Sequence, residues 1–184
     1  KCGIRGANFY SQYISDKTQI TTSLIAELSK LAENSFRDVN IAFANEISMI
    51  SDELGIDPYN LINLANYHPR VNILNPGCGV GGHCIAIDPW FIVSKFPKIT
   101  SLISTARNVN NKKTVWVYEK IKNKANLIKG KLGRKPKIGC LGLTFKPNVE
   151  DVRESPSLSI INKLMLDDFD LLICEPNIKY HNSL

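Results

Sequence analysis

The sequence predicts an α/β chain in two unequal parts. The first is mainly helical and built around one long helix; the second opens a doubly wound parallel α/β domain. Three observations predict this. Leu24, Leu28, Leu31, Val39, Phe43, Ile50 and Leu54 recur at spacings built from three and four, the period of one helix face. Gly130, Gly133 and Pro136 then break a second helical pattern. Beyond them the order becomes strand, helix, strand.

Residues 1–21 carry no strong period and read as the end of a preceding unit or a linker. The first long helix is expected over 22–54, with Gly55 as its C-terminal stop. At 1.5 Å per residue it is roughly 50 Å long, more than a small core can cover, so it bridges domains or pairs with another subunit. Its other face carries Lys30, Asn34 and Arg37, which project from one side. Asp57 and Pro58 cap and start a second helix that ends near His68-Pro69. Arg70 to Leu74 then run extended into a glycine-rich loop. A third helix is expected over 99–132, with Leu102, Ala106, Val109, Val117, Ile121 and Ile128 on its inner side. Residues 137–143 read as a buried strand, Ser155-Pro156 caps a helix through about 166, and 170–174 form a second strand. Ligands of such units sit beyond the carboxyl ends of the strands, which places Phe145, Lys146 and Arg153 at a ligand mouth. Two strands alone leave sheet faces and edges uncovered, so the domain is expected to continue past this chain, as the front is expected to begin inside a longer frame.

The balance of charge is +6 over 184 residues, and much of the excess lies between Lys112 and Lys137. With only Trp116 and Tyr118 among those lysines, the run reads as a solvated helix face, and no nucleic-acid partner is expected. No apolar run is long enough to span a bilayer and no signal-peptide core opens the chain, so a cytoplasmic protein without a membrane partner is expected. Cys2, Cys78, Cys84, Cys140 and Cys174 are an odd number without paired metal spacing, so reduced thiols are expected and no metal site. Cys140 and Cys174 lie in apolar runs and read as buried small hydrophobes.

The chemistry concentrates in Gly77-Cys78-Gly79-Val80-Gly81-Gly82-His83-Cys84, followed by Asp88-Pro89-Trp90. Glycines admit close backbone approach, and Cys84 at the lip of such a loop, with a carboxylate four residues on, is a candidate nucleophile. Gly77, Gly79 and Gly82 also satisfy G-x-G-x-x-G. However, Pro76 precedes them, Pro89 hinders a helix from Gly82, and no carboxylate stands near position 100, so the dinucleotide-cradle reading is set aside.

Together, residues 30–40, 68–74, the cysteine loop with Asp88 to Phe91, and 142–148 with 153–156 resemble the UDP-glucose/GDP-mannose dehydrogenase family, over nearly the whole chain from Phe9. Cys78, where a proline is expected in the nearest subgroup, departs from the pattern without touching the mechanism. The resemblance implies a central dimerisation and catalytic-cysteine domain over 22–132 and the start of a Rossmann-like UDP-binding domain over 133–184. It implies an NAD-dependent UDP-sugar 6-dehydrogenase, with UDP-N-acetyl-D-mannosamine as the expected substrate, making a uronic acid for surface polysaccharide. Catalytic roles fall on Cys84, Lys30, Asn34 and Asp88. Substrate binding falls on Arg37, His68, Arg70, Gly81, Phe145 and Lys146, and a cofactor contact on Arg153. The main NAD domain of the family is not in this chain, so the chain alone is expected to be inactive. It is also expected to form a homodimer through the long helix. A non-catalytic dimerisation and nucleotide-sugar-binding remnant is the competing reading.

Overall fold

The computed structural model describes residues 1–16 and 18–178; residues 179–184, the end of the expected second unit, lie outside them. Among the described residues, six helices and two strands follow in order: α1 (Cys2–Tyr10), α2 (Ser23–Leu54), α3 (Pro58–Ala65), α4 (Asp88–Lys95), α5 (Ser101–Leu132), β1 (Lys137–Leu141), α6 (Pro156–Leu166) and β2 (Asp170–Cys174).

The long helix forms where the leucine pattern predicts it. Thr22 caps its start, its hydroxyl accepting from the Ile25 amide at 3.3 Å, and Gly55 ends it in the left-handed region at φ 67°. Asp57 likewise caps α3, accepting from the Tyr59 amide at 2.9 Å, with Pro58 at the first helical position. Two helices are additions to the expected set. α1 buries none of its residues, and its sequence has no strong apolar stripe to announce it. α4 begins at Asp88-Pro89: the proline that argues against a helix from Gly82 starts this one, since its missing N–H costs nothing in a first turn.

α2 and α5, each 32 residues long, lie side by side, and α4 packs on both. The face of α2 turned toward α5 differs from expectation. Asn34, Ser35, Asp38, Ala42, Asn45, Ser48 and Ser51 are buried, whereas Leu24, Leu28, Phe43, Ile50 and Leu54 of the apolar stripe are exposed in the single chain. The trio Lys30, Asn34 and Arg37 is therefore split: Asn34 is 2% exposed, while Lys30 and Arg37 stand in solvent. On α5, Ala106 is buried and Val109, Val117, Ile121 and Ile128 are half-buried as expected, but Leu102, in the first turn, is 67% exposed.

β1 and β2 pair in parallel, Lys137 opposite Asp170 through Leu141 opposite Cys174, and the crossover between them carries α6 back onto α5. Ser155 caps α6, accepting from the Leu158 amide at 3.3 Å. The apolar core sits here: Tyr118, Ile160 and Leu164, with Val117, Ile121, Phe169 and Leu171 packed around them. β1 is not the buried strand expected; its residues alternate between exposed and half-buried. Nor are Cys140 and Cys174 buried small hydrophobes. Cys140 is half-buried and Cys174 exposed, because among the described residues the sheet has only two strands and little to cover it. No described helix is long and apolar enough to cross a membrane.

Candidate active site

Residues 66–87 run from the end of α3 to the start of α4 without regular secondary structure, so their course is decided by bonds to the helices around them. Asn66 ties the entry, its amide donating to the Ile73 carbonyl at 3.0 Å and accepting from the Ile73 amide at 2.7 Å. Asn45 of α2 accepts from the Gly77 amide at 2.9 Å. Past the cysteine, the Cys84 carbonyl accepts from the Asp88 amide at 2.8 Å, so the thiol-bearing residue is joined directly to the first turn of α4.

The glycines of this loop make room for the β-α-β unit. A Cβ on Gly81 would lie 2.5 Å from the Glu154 carbonyl oxygen and 2.7 Å from Phe145 Cβ. Gly82 has φ 78°, and a Cβ there would lie 2.8 Å from the Phe145 ring. The Gly82 amide donates to the Arg153 carbonyl at 2.9 Å. The space at Gly79, Gly81 and Gly82 is thus filled by protein, which leaves no open phosphate cradle there.

The expected catalytic residues converge in part. Cys84 is exposed at the lip of the loop. Asn34, buried on α2, donates to the Asp88 carboxylate at 2.6 Å across 54 positions of sequence. Lys30, one turn earlier, is exposed and paired with Glu33 at 3.1 Å. Arg153 grips Asp151 with a fork of two nitrogens, Nε at 2.9 Å and Nη2 at 2.6 Å. That hydrogen-bonded pair holds the Asp151 carboxyl down at about 2 and holds the Arg153 guanidinium charged, with a smaller pull from Cys84 on the arginine. Phe145 and Lys146 line a cleft of ≈ 420 Å³ beyond the strand ends, with Gly142, Thr144, Pro176 and Asn177, as the strand-end rule requires. Glu175 organises its floor, accepting from the Leu143 amide at 2.8 Å; these amide bonds hold its carboxyl below the ordinary value.

The remaining expected residues are not drawn in. Arg37, His68 and Arg70 are exposed, and the His68 ring accepts from the Arg70 amide at 3.3 Å. Sequence reasoning missed a group of polar residues behind the loop. Asp38 and Arg107 form an ion pair at 2.8 Å with side chains 0% and 1% exposed, and Asn110 and Asn45 join them. Burial pushes the Asp38 carboxyl up and the Arg107 guanidinium down, each drawn partly back by the other's charge. The signal was present in sequence: Asn34, Asp38 and Asn45 share one helix face.

The chain is similar to known proteins over nearly its whole length. Residues 25–112 match the UDP-glucose/GDP-mannose dehydrogenase family, central domain, and residues 139–183 match the same family's UDP binding domain. The chain is 53% identical to a UDP-N-acetyl-D-mannosamine dehydrogenase of Campylobacter jejuni, over 97% of this chain and 43% of that protein. It is 48% identical to an NDP-N-acetyl-D-galactosaminuronic acid dehydrogenase of Ralstonia nicotianae, over 97% of this chain and 41% of that one. Among solved structures, the UDP-N-acetyl-mannosamine dehydrogenase of S. aureus superposes with a TM-score of 0.84 at 39% identity, over 96% of this chain and 41% of the other. The chain therefore spans less than half the length of the relatives it matches. With both units matched, and the cysteine loop inside the first of them, the chain belongs to the UDP-glucose/GDP-mannose dehydrogenase family.

Proposed function

We propose that the protein carrying this chain oxidises the C6 alcohol of a UDP-sugar to the uronic acid, with Cys84 as nucleophile and 22–132 and 133–184 as its central and UDP-binding units. The observation that carries the reading is the bond between Asn34 and Asp88, which joins two residues from separate segments beside the cysteine loop. The aldehyde formed from the alcohol is attacked by the Cys84 sulfur, giving a thiohemiacetal; loss of a second hydride gives a thioester. Water then displaces the sulfur, releasing the carboxylate and restoring the thiol. Asp88, held by Asn34, positions and deprotonates that water. Lys30 and the Asn34 amide donate toward the developing oxyanion, a role that requires Lys30 to leave Glu33.

Two NAD, bound one after the other, would each accept one of the two hydrides. The exposed, charged Arg153 fits one contact to NAD, whereas Gly79, Gly81 and Gly82, closed off by neighbouring protein atoms, do not fit its diphosphate. The 184-residue chain alone is therefore expected to be inactive. Phe145 and Lys146, with Gly81, border the sugar nucleotide; Arg37, His68 and Arg70 complete the site from the rim. N-acetyl-D-mannosamine is the proposed sugar. Relatives named for two different sugars make an assay of several UDP-sugars the direct test. In the whole gene product, Cys84→Ser should abolish uronate formation while leaving UDP-sugar binding intact. Retained turnover would remove Cys84 from the chemistry.

The exposed stripe of α2, with Leu24 64%, Phe43 51% and Leu54 66% exposed, supports a homodimer in which this helix meets its symmetry mate. Light scattering should give twice the chain mass; a monomer at micromolar concentration would exclude it.

A further inference from the structure

Behind the cysteine loop runs an unbroken circuit of buried polar side chains. It starts at the Gly77 amide, which donates to Asn45 Oδ1 at 2.9 Å. Asn45 Nδ2 donates to Asn110 Oδ1 at 2.9 Å. Asn110 Nδ2 donates to Asp38 Oδ1 at 2.7 Å, and Arg107 Nη1 donates to that same oxygen at 2.8 Å. Arg107 Nη1 also donates to the Ile85 carbonyl at 3.2 Å. The circuit thus begins seven residues before Cys84 and ends on the residue after it. All four side chains are at most 1% exposed.

We propose that Asn45, Asn110, Asp38 and Arg107 are positioning residues, a clamp that grips both arms of the loop and sets where the Cys84 thiol stands. This rests on the reading of Cys84 as nucleophile only for its catalytic consequence; the geometry of the loop is testable without it. Stability alone is a poor reason for such a cluster. A buried ion pair roughly breaks even against apolar side chains of the same volume, and here Asp38 Oδ2 and Arg107 Nε have no partner among the described residues. Directional bonds do what apolar packing cannot: the two end bonds fix the Gly77 amide and the Ile85 carbonyl relative to α2 and α5, and the bonds between them hold the four side chains in register. Asn34 adds a third hold from the same helix face, on Asp88.

The test uses the full chain and reads each cysteine separately by mass spectrometry during limited alkylation with iodoacetamide. Exposed Cys2 and Cys174 serve as internal references. Asn45→Ala, which frees the Gly77 arm, and the double variant Asp38→Leu with Arg107→Met, which frees the Ile85 arm, are each expected to change the rate of Cys84 relative to those references by roughly threefold or more. Ser48→Ala removes a buried hydroxyl on the same helix, outside the circuit, and is expected to lower the melting temperature with the ratio unchanged. Hydrogen exchange on the unmodified chain needs no variant: the Gly77 amide, although in an irregular segment, should be protected. Folded clamp variants with the wild-type ratio, or a Gly77 amide that exchanges as fast as an open loop, would overturn the clamp. Turnover of Cys84→Ser bears on the nucleophile alone, so either idea can fail without the other.

Discussion

Along α5, the first half meets α2 through Arg107, Asn110 and Lys113, while the second half meets α6 and the strands through Tyr118, Val117 and Ile121. The two seams share one helix and differ in kind. The α6 seam is apolar and holds the β-α-β unit by non-directional burial, which tolerates small slips. The α2 seam is hydrogen-bonded from end to end: Arg107 to Asp38, Asn110 to Asn45, and Lys113 to the Ser48 hydroxyl at 2.7 Å. Every one of those bonds has a required register. Both seams meet the cysteine loop: the polar one through directional bonds to the Gly77 amide and the Ile85 carbonyl, the apolar one through burial of Cys78 against its core.

The contrast is most open to attack at its charged centre. Asp38→Ala leaves Arg107 buried without its partner and is expected to cost about 3–5 kcal/mol in chemical denaturation. Removing both charges at once, with Asp38→Leu and Arg107→Met in the same chain, should recover most of that loss. Failure of the double variant to recover would mean that the polar seam is itself a main source of stability. On the apolar side, Leu164→Ala is expected to cost about 2–5 kcal/mol, with Cys84 labelling unchanged relative to Cys2. A large change in labelling there would erase the division of labour between the seams.

The smallest expected effect is a slope. Burial lowers the pKa of Lys113 from the ordinary 10.5, with Asp52 and Cys78 drawing it partly back. Between the lowered folded value and 10.5, the unfolded chain binds more protons than the folded one, so stability should rise with pH in that window. Lys113→Met should flatten the rise. An unchanged slope would assign it to another group.

Much of the fold was legible because its signals are local. Thr22, Asp57 and Ser155 cap the helices that their sequence positions announce, and Gly55 stops α2 where its left-handed φ requires glycine. The parallel β-α-β unit follows from the change of period after Gly133. The candidate site was legible in composition but not in arrangement. Cys84, Asp88 and Asn34 stood out by type, yet that Asn34 turns inward to Asp88 while Lys30 and Arg37 stay in solvent depends on where α4 docks.

By itself, then, the sequence determined the elements, their ends and the residue types able to do the chemistry, because caps, breakers and helical period act within a few residues of chain. The tertiary structure alone decided which face of α2 is inside. Periodicity reports that apolar residues share a face, not what that face meets. Here Leu24, Leu28, Phe43, Ile50 and Leu54 are left outward, and Asp38 and Asn45 are inside because they find Arg107 and Asn110 on α5, more than sixty positions away.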